Sequence, residues 1–161
     1  METYWSTYES PVGALTLVAR GGRLRGVRFP GESHGMGAEL CQPDEFANVT
    51  RQLDEYFAGQ RREFDIAVEL EGSDFQRAVW AQLREVPFGT TVSYGELAKR
   101  IGLEQPDAAR DIGTAVGRTP VPIVVPCHRV IGANGDLVGY GGGLERKRTL
   151  LELESSQLAL L

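Results

Sequence analysis

The chain predicts an α+β fold in two parts: a small N-terminal α/β half built on an antiparallel sheet, and a mostly helical C-terminal half containing a helix-turn-helix. Three observations predict it. β-rich segments crowd the first 29 residues. Two capping boxes, Ser73-Asp74-Phe75-Gln76 and Ser93-Tyr94-Gly95-Glu96, open helices further on. Composition shifts near residue 72, which places one domain at 1–72 and a second at 73–161.

Taken in order, Tyr4–Tyr8, Leu15–Ala19 and Leu24–Phe29 read as strands of a meander, separated by Ser10-Pro11-Val12-Gly13 and Gly21-Gly22. Residues 30–43, rich in glycine and polar residues, read as loop. A helix follows with Phe46, Val49, Leu53 and Phe57 on one face and Gly59 as its stop. Arg61–Glu71 reads as a strand plus a polar turn. The first capping box opens a helix with the stripe Phe75, Val79, Leu83, ended by Pro87-Phe88-Gly89. The second opens a short helix through Leu97 and Ile101, stopped at Gly102. Pro106-Asp107 then starts a helix carrying Ala108, Ile112, Ala115 and Val116 inward. Two short helices across a compact turn form a helix-turn-helix. The second is rich in small residues, Ala108, Ala109, Gly113, Thr114, Ala115 and Gly117, which suit close approach either to a partner surface or to the protein's own interior. Both uses stay open at this point.

Composition excludes several classes. Apolar and charged fractions of 42% and 24% are those of a globular domain. Two distant cysteines, Cys41 and Cys127, make no disulfide framework and fit a reducing cytoplasm. No export signal or membrane-spanning run is visible. His34 and Cys41 fall short of the four ligands a structural zinc wants, so no metal and no cofactor is expected. The net charge of −5 is unevenly spread: residues 1–72 hold 12 acids and 7 bases, whereas 73–161 hold 10 of each. The second half can therefore carry a basic face, with weak non-specific affinity for nucleic acid.

The chemistry concentrates in Pro126-Cys127-His128-Arg129-Val130, which follows Ile123-Val124-Val125, a β-branched run bracketed by Pro122 and Pro126 that reads as a buried strand. A thiol attacks as its thiolate, and an adjacent imidazole favours that form. A small buried cysteine is the plain alternative. On the last helix, from Leu144 to about Glu154, the residues Lys147, Leu150, Leu151 and Glu154 share one face. A carboxylate on that stripe, at a helix C-terminus, is opposed by the dipole and needs a partner. His128 supplies one, which gives a Glu154–His128–Cys127 relay.

With these residues in place, the chain resembles the O6-alkylguanine-DNA alkyltransferases. The likeness rests on Phe75-Gln76-x-x-Val79-Trp80, Pro87-Phe88-Gly89, Val92-Ser93-Tyr94, Ala108-Ala109-Arg110, Pro120-Val121-Pro122-Ile123, Pro126 to Val130 and Gly139-Tyr140-x-Gly142-Gly143, in that order. It implies a ribonuclease-like first half and a winged-helix-like second half. It also implies single-use repair of O6-alkylguanine, and of O4-alkylthymine, in double-stranded DNA, with Cys127 as the irreversible acceptor. His128 and Glu154 would be the deprotonation relay, and Tyr94 the group that protonates the base and helps rotate it.

The same resemblance makes Arg110 the residue that fills the gap left by a flipped nucleotide. Ser93, Ala109 and Gly113 would meet DNA through the minor groove. Tyr140, Gly141, Val130 and Pro122 would line the base pocket, Arg129 would be structural, and the protein would act as a monomer, with cooperative loading on DNA left open. Thr119 stands where the family usually has Asn, the turn from Gly102 to Pro106 is about two residues longer than usual, and Asp111 puts an acid beside Arg110. Two other classes compete: a non-enzymatic binder of alkylated DNA, which Cys127 argues against, and a cysteine hydrolase, which gives the helix-turn-helix no task.

Overall fold

The structure is a computed structural model that describes residues 1–159. The chain forms two compact units, 1–70 and 71–161. In the first, β1 (Thr3–Ser10), β2 (Gly13–Arg20) and β3 (Arg23–Arg28) make an antiparallel sheet in the order β1-β2-β3. Arg20 pairs with Arg23, so Gly21-Gly22 is the whole β2–β3 connection. Both glycines have positive φ, 58° and 78°, the turn that matches strand twist and that side chains resist.

Pro43–Phe46 forms a 3₁₀ turn that runs into α1 (Ala47–Phe57). Burial falls on Val49, Gln52, Leu53 and Tyr56. Tyr56, not the expected Phe57, is the fully buried aromatic of this helix. Three- and four-residue steps from Val49 and Leu53 reach either position, and the neighbouring Phe64 ring against Tyr56 selects the phase. Buried Gln52 is satisfied by exchanging hydrogen bonds with the Asp65 backbone, at 2.9 and 2.8 Å. The strand expected within Arg61–Glu71 reduces to one parallel bridge, Leu24 with Val68, carried by two backbone hydrogen bonds of 2.9 Å.

In the second unit, α2 (Asp74–Leu83) and α3 (Tyr94–Ile101) both begin with complete capping boxes, Ser73 with Gln76 and Ser93 with Glu96. The apolar face of α2 is Val79, Trp80 and Leu83, and Phe75 lies exposed, against expectation. Phe75 is in the first turn, ahead of the point where Trp80 docks by donating its indole N–H to the Ala115 carbonyl at 2.9 Å. Gly102 closes α3 with φ 85°. The next helix, α4 (Ala108–Gly117), starts after Asp107 without a side-chain cap and buries Ala108, Ile112, Ala115 and Val116, as its pattern predicts.

Ile123-Val124-Val125 is not a strand. The segment is buried as predicted, but it is a tight turn in which Val125 N–H donates to Val121 C=O at 2.9 Å and Pro122 bridges to Val125. Prolines at 122 and 126 remove the donors a ladder needs. Ile123 takes φ 75°, a left-handed conformation that a β-branched residue resists. Cys127–Arg129 follows as a single 3₁₀ turn, and then β5 (Val130–Ile131) pairs in parallel with β4 (Val92–Ser93), which precedes α3. The last helix, α5 (Leu144–Ala159), turns Lys147, Leu150 and Glu154 into the interior.

Candidate active site

The parallel pair positions the site. Val92 faces Val130 and Ser93 faces Ile131, so the first residue of α3, Tyr94, is delivered beside the turn that carries Cys127. The Tyr94 hydroxyl donates to the Val138 carbonyl at 2.8 Å, and its pKa is raised by burial and by the nearby Cys127 charge, so it keeps its proton at neutral pH. A β-carbon built on Gly113 would lie 3.7 Å from the Tyr94 ring, so the tyrosine rests against α4 at that glycine.

Cys127 opens the 3₁₀ turn with 5% of its surface exposed. Burial pushes its thiol up to about 11, opposed by the neighbouring hydroxyls of Thr119 and Tyr140 and by the charge of Lys147. Thr119 also donates its hydroxyl to the Val116 carbonyl at 2.7 Å, in the last turn of α4. The hydroxyl of Tyr140 is buried in the neighbourhood of the thiol. Gly141, next to it, is exposed with open space around it.

His128 is fully buried, and its Nε2 lies 2.7 Å from Glu154 Oε2. Burial pushes Glu154 toward protonation, but the hydrogen bonds from His128 and Arg129 and the charge of Arg129 outweigh it and hold the carboxyl far below its ordinary range. An ionised carboxylate only accepts, so the proton of this pair belongs to His128 Nε2 and the lone pair to Nδ1. Nδ1 is buried with no partner among the described residues. Burial lowers the His128 pKa despite Glu154, so the imidazole is neutral and available as a base.

Arg129 anchors the same carboxylate from a second direction. Its Nε donates to Glu154 Oε1 and its third nitrogen to Oε2, both at 2.9 Å, while Nη1 donates to the Val86 carbonyl at 2.7 Å. Gly89 N–H adds a bond to Glu154 Oε1 at 3.2 Å. Gly89 has φ 77°, and a β-carbon there would lie 2.0 Å from Leu158, so only glycine lets the backbone reach the carboxylate.

Among the remaining expected residues, Ala109 and Arg110 are exposed on α4, and Arg110 has no side-chain partner among the described residues. The small residues of α4 divide between two faces: Ala108 and Ala115 pack inward, whereas Ala109 and Gly117 are exposed. The Ser93 hydroxyl accepts from Glu96 N–H as the cap of α3. Val130 is fully buried, with its N–H donated to the Cys127 carbonyl, and Pro122 is buried in the preceding turn. Sequence reasoning gave no task to Lys147 and did not foresee that Thr119 reaches the sulfur. Lys147 carried a signal, since it shares the stripe that singled out Glu154.

Residues 74–156 match the family model for the DNA-binding domain of 6-O-methylguanine DNA methyltransferase, and residues 3–70 match that for its ribonuclease-like domain. The methylated-DNA–protein-cysteine methyltransferase of Mycobacterium tuberculosis is 47% identical over 156 residues, which is 96% of this chain and 93% of that one. Its namesake from Methanosarcina acetivorans is 44% identical over 160 residues, covering 95% and 99%. The crystal structure of Mycobacterium tuberculosis OGT in complex with DNA superposes with a TM-score of 0.88 at 47% identity, over 96% of this chain and 94% of that one.

Proposed function

Since the chain belongs to the 6-O-methylguanine DNA methyltransferase family, we propose that it repairs double-stranded DNA by moving the alkyl group of O6-alkylguanine onto Cys127, once and irreversibly. The observation that carries this reading is the buried His128–Glu154 pair immediately after the only buried cysteine among the described residues. In the transfer, the Cys127 sulfur forms a bond to the alkyl carbon as the carbon–O6 bond breaks. The thiol proton passes to His128 Nδ1, with a water as carrier, and Glu154 stabilises the imidazolium that results. Tyr94 gives its proton to the departing guanine ring, so the base leaves neutral; the tyrosinate regains a proton from the His128 imidazolium through solvent, and the net change is one proton from sulfur to guanine.

The reacting carbon is inaccessible in stacked duplex, so the nucleotide has to leave the helix. Unit 71–161 supplies what that requires. Arg110, exposed and unpaired on α4, takes the place of the extruded base, with Ala109, Gly113 and Ser93 close to the backbone. Gly141 and Val130 offer backbone groups to the base edge, Pro122 forms an apolar wall, and Tyr140 stacks on the base. O4-alkylthymine presents a similar electrophile to the same thiolate. The protein acts as a monomer that needs no cofactor.

Intact-protein mass spectrometry after incubation with an O6-methylguanine duplex tests this. The expected result is one methyl group per molecule, at Cys127, and none in Cys127→Ser, which still binds the duplex. Repeated turnover, or an unchanged mass for the unaltered protein, overturns it.

A further inference from the structure

Glu154 Oε2 has two donors, His128 Nε2 at 2.7 Å and Arg129 Nη2 at 2.9 Å. Arg129 Nε takes the other oxygen, also at 2.9 Å. Consecutive residues of one 3₁₀ turn therefore share a single carboxylate, and the guanidinium occupies both of its oxygens. The guanidinium is fixed from two more sides. Its Nη1 donates to the Val86 carbonyl at 2.7 Å, and its central carbon lies 5.7 Å from the centroid of the Phe88 ring. The side chains of His128, Arg129 and Glu154 are 0%, 7% and 1% exposed.

A rivet between this turn and α5 needs the guanidinium on Glu154, but not on the oxygen that orients the base. Charge decides what the sharing does. Glu154 and Arg129 sum to zero, so a proton arriving on His128 leaves the buried cluster with a net positive charge. Without Arg129 the same proton would neutralise a lone buried carboxylate. Burying net charge is costly, so the guanidinium disfavours the imidazolium and its removal favours it.

The remaining charged groups leave this balance intact. From α5, Lys147 acts on His128 in the same direction as Arg129, and Arg148 and Glu152, opposite in sign, lie exposed in the cleft beyond Glu154. The helix α2 buries only Val79, Trp80 and Leu83, and Arg84 and Glu85 after it are exposed. Val86, Phe88 and Gly89 present a carbonyl, a ring and an N–H. Cys127 and Tyr94 keep their protons at neutral pH.

We propose that Arg129 is a positioning residue of the transfer: by sharing Glu154 with His128, it keeps the imidazole neutral, with the proton on Nε2 and the Nδ1 lone pair open to the thiol proton. This role goes beyond holding the turn to α5; it deepens the alkyl transfer proposed above and rests on it. Arg129 meets neither DNA nor the alkyl group. It leaves the base empty before attack. Once Nδ1 has taken the thiol proton, the same charge makes the imidazolium ready to pass that proton on through solvent.

The test is an NMR titration of the two histidines in the full-length protein, in Arg129→Met and in Arg129→Lys, with His34 of unit 1–70 as the internal reference. In the unaltered protein His128 titrates below its ordinary 6.5. Methionine fills similar space without the charge, and the His128 midpoint should rise to about one unit above 6.5, a tenfold higher ratio of imidazolium to imidazole than an ordinary histidine has. Lysine keeps the charge, and the midpoint stays below 6.5. The acid limb of transfer from O6-benzylguanine, followed by intact mass, moves with the midpoint.

A structural bolt gives a different result, because loosened packing wets His128 and returns it only to its ordinary value. A midpoint in Arg129→Met less than about half a unit above 6.5 therefore overturns the proposal. So does a midpoint above 6.5 in Arg129→Lys, or an acid limb that stays in place. Should Arg129→Met not fold, Arg129→Lys decides alone, and a midpoint below 6.5 supports the proposal. If the unaltered protein takes no benzyl group from O6-benzylguanine, alkyl transfer itself is wrong; if it does and His128 stays put in the variants, only the role of Arg129 is.

Discussion

The acceptor turn and the helix α4 lie in the same unit and are built on opposite terms. Cys127, His128 and Arg129 are buried, and the carboxylate behind them receives bonds from an imidazole, a guanidinium and a backbone N–H. The α4 helix has no side-chain cap, and it leaves Ala109, Arg110, Asp111 and Thr114 in the open. Apart from His128 Nδ1, the ring and guanidinium nitrogens of the turn bond to groups from within, as a site that must be preorganised requires. On the helix only Thr114 turns its polar group back, to the Arg110 carbonyl, and Arg110 and Asp111 stay in solvent. Changes in the turn should therefore damage stability and chemistry together, and changes on the exposed face of α4 should damage only encounters with DNA.

Glu154→Ala tests that contrast most severely. It strands a buried guanidinium and should cost about 3–5 kcal/mol, read from the shift in urea midpoint. A loss below about 1 kcal/mol would show that the turn is not held by its charges. Glu154→Gln keeps the shape but not the charge that stabilises the imidazolium. Its transfer rate should fall on the order of ten- to a hundredfold while duplex affinity stays within about twofold. Equal losses in both would reduce Glu154 to a structural role.

pH acts on the turn from both sides. Glu154 is ionised in the fold well below its ordinary value of 4.5, and His128 is held neutral below its ordinary 6.5. The folded state thus binds fewer protons than the unfolded chain, so stability falls as pH drops below about 6.5 and more steeply below about 4.5. Cys127 works in the other direction. Raised from 9.0 to about 11, its thiol contributes stability fully below pH 9, and that contribution is lost as pH rises toward 11. Two units correspond to about 2–3 kcal/mol, and Cys127→Ala should remove this alkaline decline in a comparison of urea midpoints.

Thr119→Val removes the hydroxyl that reaches both the sulfur and the end of α4. The stability loss should be about 1 kcal/mol, with the Cys127 alkylation profile moved to higher pH. A profile left in place would separate Thr119 from the thiol. The smallest effect on the fold belongs to Arg110→Ala, within about 0.5 kcal/mol of the unaltered protein. Its repair of duplex should fall while its reaction with free O6-benzylguanine holds. If both fall alike, α4 is not the partner-facing side of this contrast.

The same division governs what the sequence discloses. Capping boxes, the inward face of α4 and the isolated carboxylate at 154 were legible, because each is encoded in spacing along one element. Ile123–Val125 was not: a β-branched run announces burial, but the flanking prolines decide the backbone, and the result is a turn. Phe57 yielded to Tyr56 and Phe75 to Trp80 because helical spacing leaves the phase of a stripe to its neighbours. Thr119 and Lys147 influence the thiol from eight residues before it and twenty after. Only the assembled fold brings them there.

That assembly has an order in time. Position 127 leaves the ribosome ahead of position 154, so a nascent chain owns its nucleophile before it owns the carboxylate that aligns the neighbouring imidazole. A half-finished molecule, or one whose last helix has come undone, carries a sulfur with no aligned base beside it. Docking of α5 is therefore the step that completes the catalytic pair.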